Sequence, residues 1–232
     1  MIKILLSGFD GAMGQVVSQM VSRTKDIKVA EFNDSDAGDV VLDFSHASTL
    51  ESVLKVAVKT KMPLVIATTG HSKAQEQLIA KVAEEIPILK STNFSLAVYK
   101  FTRAVAMFAK AWDGDIEIIE THHNMKVDAP SGTAITIANA IIDARGGVGR
   151  VILGRTSDSA KRESGDVGIS AVRGGVLTGM HEVRFYDATS EVVMYEREYS
   201  KDVFAEGALR AVKFISQIKK PGLYTMADLC GD

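Results

Sequence analysis

A chain of 232 residues with a formal net charge of -2 has material for one large domain or two small ones. Its lysines and arginines are spread along the chain, which argues against a nucleic-acid or membrane-surface partner, and its one cysteine, Cys230, excludes an intramolecular disulfide or a cysteine-based metal site. Met1 to Leu6 is too short an apolar run for a signal peptide, and no apolar stretch approaches membrane-spanning length, so a soluble cytoplasmic protein without a resident metal is expected.

The N-terminal half alternates two periodicities. Ile2 to Leu6 is a short β-type run, followed by Ser7 and the Gly-rich turn Gly8-Phe9-Asp10-Gly11-Ala12-Met13-Gly14. Met13, Val16, Val17, Met20 and Val21 then recur at helical spacing. A strand over 27–32, an acidic turn over 33–38 containing Asp34 and Asp36, and a strand over 39–44 come next. Leu50, Val53, Leu54, Ala57 and Val58 line a helix face; Pro63 to Ala67 reads as a buried strand ending at Thr68-Thr69-Gly70. A helix over 72–85 and a strand over 87–90 complete the pattern. Strands alternating with helices at this spacing imply βαβ units and a parallel sheet covered on both faces, an α/β fold. Ligands of such sheets bind beyond the carboxyl ends of the strands.

The first turn is an imperfect dinucleotide fingerprint, with Asp10 at the second glycine place and Gly11 after it. Its context fits: strand before, helix after, and the acidic Glu31 near the end of the second strand. Gly8 would make the turn, Gly11 would admit a pyrophosphate, and Gly14 would let the helix pack closely. An ordinary ligand-free βα turn is the alternative. Asp10 beside a pyrophosphate requires an outward-turned side chain.

The second half changes character. A long helix over 94–112 places Leu96, Val98, Phe101, Val105 and Phe108 at apolar positions. A strand over 115–121 delivers His122 and His123, and a helix over 131–144 ends at Gly146-Gly147. The charged stretch 158–168 reads as a mobile loop. Strands over 167–173, 181–186 and 192–199, with turns at Gly174-Gly175 and Asp187-Ala188, predict a mixed sheet with helices on one face, a smaller α+β domain. A last helix over 203–218 returns to the first domain. The division expected is 1–94 with 203–232, and 95–202.

The chemistry concentrates in residues 120–133, which read Glu120-Thr121-His122-His123-Asn124-Met125-Lys126-Val127-Asp128-Ala129-Pro130-Ser131-Gly132-Thr133. Two histidines supply a proton carrier and Lys126 a cation. The hydroxyl- and Gly-rich start of a helix offers backbone N–H groups and a positive dipole end to an anion. Together they suit a small acidic substrate that takes up a proton. A surface loop with incidental histidines is the bland alternative, and three convergent features outweigh it.

With both halves in view, the chain resembles the 4-hydroxy-tetrahydrodipicolinate (dihydrodipicolinate) reductases of bacterial and plant lysine and diaminopimelate synthesis. The resemblance runs nearly end to end and is strongest at 120–133. It is supported by Gly8 to Gly14, Asp43-Phe44-Ser45, Ala67 to Gly70, Asn93-Phe94-Ser95 and Phe204 to Arg210. It implies a Rossmann-type domain for NADH or NADPH, a smaller domain that binds a cyclic imine dicarboxylate and builds a homotetramer, and closure between them. By that resemblance His122 and Lys126 are catalytic, and His123, Gly132 and Thr133 contact the substrate. Gly8, Phe9, Asp10, Gly11, Ala12, Met13, Glu31, Ala67, Thr68, Thr69, Ser91, Thr92, Asn93 and Phe94 hold the cofactor. Departures are Ala67 where the family usually has Gly, Phe32 where an Arg often follows the acidic residue, and Lys201 where Arg is common. The short connection after Glu31 leaves Asn33 or Asp34 as alternative ribose partners. Glu31 without an adjacent cation predicts NADH at least as good as NADPH. Competing readings are another two-domain amino-acid dehydrogenase, which would lack the His-His-Lys segment, and a dinucleotide-sensing module without catalysis.

Elsewhere plainer expectations hold. His46 and His71 read as solvated loop residues, and His181 as a satisfied structural residue. Phe101, Val105, Phe108 and Trp112 read as core, Asp43 as a cap or turn residue, and Cys230 as part of an inert tail.

Overall fold

The computed structural model describes residues 1–33, 37–158 and 161–232, so Asp34 and Asp36 of the acidic turn lie outside the described residues. The elements begin with β1 (Ile2–Ser7), α1 (Ala12–Val21), β2 (Ile27–Glu31), β3 (Val40–Asp43), α2 (Leu50–Thr60), β4 (Leu64–Ile66), α3 (Lys73–Val82) and β5 (Pro87–Lys90). They continue with α4 (Leu96–Lys110), β6 (Asp115–His122), α5 (Gly132–Ala144), β7 (Val151–Leu153), β8 (Val167–Arg173), β9 (Gly179–Tyr186) and β10 (Glu191–Glu198). The chain closes with α6 (Asp202–Ile215), β11 (Gly222–Tyr224) and α7 (Met226–Cys230). Two compact units result, 1–96 with 201–232, and 97–200.

The first unit is a six-stranded, wholly parallel sheet in the order β11-β5-β4-β3-β1-β2. Its central strands are continuous apolar runs (Ile4 to Leu6, Val40 to Leu42, Leu64 to Ile66) with no exposed surface, as a sheet covered on both faces requires. Leu50, Val53, Leu54 and Ala57 of α2, with Ile79 and Val82 of α3, pack against Leu5, Val41, Leu64, Ile66 and Ile88. The helix α6 packs on α1 and β4, and its Gly207 also lies against the turn after β5, where a Cβ would collide with the carbonyl oxygen of Phe94. Strand order reverses between β1 and β3, the switch point where open parallel sheets bind ligands.

The second unit is a mixed five-stranded sheet, β10-β9-β6-β8-β7, in which β6, β8 and β7 run parallel and β9 lies antiparallel to both β6 and β10. The helices α4 and α5 supply Val105, Ala109, Ala134, Ile137, Ala138 and Ile141 to a core with Ile116, Ile118, Val183 and Phe185. Phe108, Trp112 and Phe185 form a ring cluster there, and the Trp112 indole N–H donates to the Tyr186 carbonyl at 3.3 Å. The same sheet face changes chemistry along its length. The inward positions of β6 run Ile116, Ile118, Glu120, His122, and those of β9 run Phe185, Val183, His181, Gly179. One end is core and the other is polar.

Several elements differ from the sequence expectation. The long helix starts at Leu96, because Asn93 Oδ1 accepts the Ser95 N–H at 2.7 Å and holds a turn before it, while Phe94 is buried. The described residues 161–166 of the expected mobile loop are tied down: Arg162 pairs with Asp115 at 2.7 Å and with Glu117, and the buried Asp166 pairs with Arg150. Carboxylates of β6, Asp115 and Glu117, and the Arg150 guanidinium supply the opposite charges for the stretch the sequence read as a mobile loop. His71 also departs: its side chain is only 1% exposed, and burial lowers its pKa. Cys230 ends a short capped helix instead of lying in a tail.

Candidate active site

In the first unit the candidate cofactor residues gather at the carboxyl edge of the parallel sheet. Gly8 to Met13 follow β1, Glu31 ends β2, Ala67 to Thr69 follow β4, and Ser91 to Phe94 follow β5. This edge is built mainly from backbone. Gly8 has φ 82°, and a Cβ there would run into the Phe44 carbonyl, so the first turn requires glycine twice over. A Cβ at Gly14 would strike the carbonyl oxygens of Gly8 and Phe9, which is how α1 seats itself on its own turn. Among the described residues no side chain caps α1, and its first turn carries no acidic residue; Asp10, Gly11 and Ala12 are exposed at its start. An uncapped helix start suits a pyrophosphate, with the Asp10 carboxylate exposed one residue before Gly11. The amides of Ala67 and Thr68 donate to the Asp43 carbonyl at 2.9 and 3.1 Å, and Thr69 is exposed beyond them. Ser91 Oγ donates to the Asn93 carbonyl at 2.6 Å, while Thr92 is exposed. Phe94 packs its ring toward Phe44, 6.5 Å between centroids, so its side chain serves the unit's core. Asp43 is a turn residue, accepting from the Ser45 N–H at 3.2 Å, yet it is fully buried and its second oxygen has no hydrogen-bond partner among the described residues. Glu31 is exposed.

In the second unit β6 ends at His122, and the following turn and the start of α5 carry the rest of the segment. His122 is buried, and its Nδ1 lies 2.5 Å from Glu120 Oε2. His123 donates its backbone N–H to the Leu177 carbonyl at 2.8 Å, and its ring Nδ1 is buried with no hydrogen-bond partner among the described residues. Lys126 pairs with Asp128 at 2.8 Å. Burial pushes the Asp128 carboxyl up, but the Lys126 ammonium and the nearby Arg173 outweigh it and leave it below the ordinary carboxylate value. A cis Ala129-Pro130 bond leads into Ser131, whose Oγ caps α5 by accepting the Ala134 N–H at 3.1 Å. Gly132 is exposed with open space where a Cβ would point, and Thr133 is half-buried beside it.

Four residues here were not singled out as functional from sequence. Glu120 is fully buried, and Arg173 grips it with two N–H groups at 2.7 Å each. Burial pushes the Glu120 carboxyl up, but bonds from His122, Arg173 and the Ser131 N–H hold it at about 2. His181, expected to be structural, is 3.1 Å from Ser131 Oγ and 5.3 Å ring-to-ring from His122, with Glu196 3.5 Å from its other nitrogen. The readable signal was a carboxylate at an inward position of an alternating strand, Ile116-x-Ile118-x-Glu120-x-His122. Among the described residues, no group of three or more His, Cys, Asp or Glu could hold a metal ion, and no helix is long and apolar enough to cross a membrane.

Comparison with known proteins bears on the same segments. A sequence profile described as "Dihydrodipicolinate reductase, C-terminus" matches residues 96–230, and "Dihydrodipicolinate reductase, N-terminus" matches residues 30–94. The chain belongs to the dihydrodipicolinate reductase family. The 4-hydroxy-tetrahydrodipicolinate reductase of Alkaliphilus oremlandii is 40% identical over 97% of each chain. That of Caldanaerobacter subterraneus subsp. tengcongensis is 38% identical over 99% of this chain and 98% of its own. The fold matches that of the dipicolinate-bound dihydrodipicolinate reductase from Paenisporosarcina sp. TG-14 with a TM-score of 0.77, at 21% identity over 97% of each chain. Within the family match, 96–230 takes in the whole histidine–lysine segment with Arg173 and His181, while the Gly8 turn precedes both matched regions.

Proposed function

We propose that this chain is a nicotinamide-dependent 4-hydroxy-tetrahydrodipicolinate reductase of lysine and diaminopimelate synthesis, acting in the cytoplasm. Residues 1–94 with 203–232 bind the cofactor and 95–202 bind the substrate. The observation that carries the reading is the buried His122, fixed by Glu120, on the segment that leads into the open helix start at Gly132. The uncapped start of α1 suits a dinucleotide, and Gly8 through Met13, Glu31, Ala67 to Thr69 and Ser91 to Phe94 are assigned to hold it. With the 4-hydroxyl lost from the ring as water, a bound reduced nicotinamide would supply the hydride. The work of the chain is then to bind, orient and protonate. Gly132 and Thr133 at the start of α5 take one carboxylate of the cyclic imine, and His123 contacts the ring's polar groups. The ammonium of Lys126 exchanges its exposed Asp128 partner for the substrate or the developing charge. His122 gives its Nε2 proton to the ring nitrogen side as negative charge arrives there.

Two finer assignments accompany this one. Glu31, exposed at the end of β2, accepts from a ribose 2′-hydroxyl and repels a 2′-phosphate, so NADH serves at least as well as NADPH. The face of the second sheet away from α4 and α5 exposes Val172, Val193 and Tyr195, and a homotetramer would cover it. A spectrophotometric assay with freshly made substrate, run with NADH and NADPH side by side, tests the first two claims. Oxidation of NADH at a kcat/KM no lower than that of NADPH is expected. No oxidation of either between about pH 6 and pH 8 rejects the reductase reading. Sedimentation of the full chain as a monomer rejects the tetramer.

A further inference from the structure

The polar end of the second sheet holds more buried charge than the proton transfer itself uses. Glu120 has no exposed surface, and four hydrogen bonds saturate its carboxylate: His122 Nδ1 at 2.5 Å, two Arg173 nitrogens at 2.7 Å, and the Ser131 N–H at 3.0 Å. Arg173 in turn donates to the carbonyl oxygens of Asp128 at 2.6 Å and Val172 at 2.8 Å. One ion pair is therefore bonded to three segments: the strand end bearing His122, the turn bearing Lys126, and the residue that opens the helix bearing Gly132 and Thr133. We infer that Glu120, clamped by Arg173, is the positioning residue of this site. It fixes which nitrogen of His122 exchanges a proton and sets that nitrogen's place relative to the lysine turn and the carboxylate-binding helix.

The chemistry follows from what a carboxylate can do. Ionised, it only accepts hydrogen bonds, so Nδ1 of His122 keeps its proton in both charge states of the ring. The proton that leaves is the one on Nε2. Its N–H electrons remain on the imidazole, a new N–H bond forms on the substrate, and the neutral ring is left with hydrogen on Nδ1. Glu120 stays ionised throughout because Arg173 and the Ser131 N–H remain bonded to it. The opposite side of the ring is kept clear by Gly179, where a Cβ would lie 3.1 Å from Nε2 and 2.9 Å from Glu198 Oε2. Charged or titratable groups around His122 are thus Glu120 on its own strand, Arg173 on β8, His181 on β9, Glu196 and Glu198 on β10, and His123, Lys126 and Asp128 on the turn. A purely structural ion pair is the competing explanation. Burying the Glu120 carboxylate against an Arg173 side chain only 18% exposed costs several kcal/mol, and apolar replacements of such pairs are often as stable, so stability alone gives little reason for the pair.

The inference rests on the reductase reading for its kinetic arm but not for its spectroscopic one. In the parent protein, nitrogen-15 NMR of labelled histidine, with the His122 signal assigned by its loss in His122→Asn, should show the neutral ring protonated at Nδ1. A neutral His122 protonated at Nε2 overturns the proposal whatever the variants do. In Glu120→Gln, kcat should fall by roughly a hundredfold, with substrate KM and NADH Kd within a few-fold. Its pH profile should change, and its His122 signal should shift toward the other tautomer or a mixture. Glu120→Asp should restore the Nδ1 tautomer and part of kcat. A folded Glu120→Gln that keeps the parent kcat and pH profile overturns the proposal. An inactive parent would sink the reductase reading instead, leaving the NMR result to judge the positioning role.

Discussion

The two units build their ligand-facing edges from different material. In the first, position comes from backbone: a left-handed Gly8, a helix seated on its own turn through Gly14, and amides of Ala67 and Thr68 tied to the Asp43 carbonyl. In the second it comes from buried charge, with Glu120 and Arg173 bonded to every segment that carries a candidate catalytic or substrate residue. A backbone-made edge tolerates changes of exposed side chain but not an added Cβ, and responds weakly to pH. A charge-made site is sensitive to single functional groups and to acid. The difference fits the ligands each is assigned, a pyrophosphate gripped by N–H groups and a ring that must be protonated at one atom.

The largest expected effect lies in the charge-made site. His122→Ala and Lys126→Ala should each lower kcat by about 10²- to 10⁴-fold, the range of positioned acid–base groups. NADH affinity should hold, since the cofactor is assigned to the other unit. A kcat within a few-fold of the parent, with folding and NADH binding intact, would reduce the segment to a substrate clamp.

Acid should separate the units next. The Glu120 carboxyl titrates near an ordinary 4.5 when unfolded and at about 2 when folded. A depressed folded pKa means that its stabilisation is complete above about pH 4.5 and is lost as pH falls toward 2, on the order of 3 kcal/mol in all. Urea unfolding across that window should therefore fall more steeply for the parent than for Glu120→Gln. Equal slopes would show that the carboxylate is not held ionised by its partners.

A smaller effect belongs to the backbone-made edge. Gly14→Ala must push the Gly8 and Phe9 carbonyl oxygens away, so we expect a loss of about 1–2 kcal/mol in stability and roughly tenfold in NADH affinity. Its kcat at saturating NADH should stay near the parent value. A variant with unchanged NADH affinity would mean that the first turn is an ordinary βα connection.

The unequal legibility of the two sites has the same origin. The backbone-made edge was readable because its strands are continuous apolar runs ended by Gly- and Thr-rich turns, so both the parallel sheet and its ligand edge follow from local pattern. The segment 120–133 was readable as chemistry, but its support was not. Arg173 faces His122, and His181 faces Glu120, only through the register of strands distant in sequence, which no periodicity contains. The strands Val151–Leu153 and Gly222–Tyr224 are three residues each and too short to show a period. His71 follows a strand end like a solvated residue, and only the packing around it buries its ring.

The division of labour between the units is tested most directly by measuring substrate KM and NADH Kd together in Thr133→Ala. Removing a carboxylate contact made in both ground and transition states should raise KM by about tenfold and leave kcat within a few-fold. NADH Kd should equal that of the parent. A Thr133→Ala protein whose NADH affinity weakens in step with its KM, or whose KM does not move, would contradict the assignment of substrate to one unit and cofactor to the other.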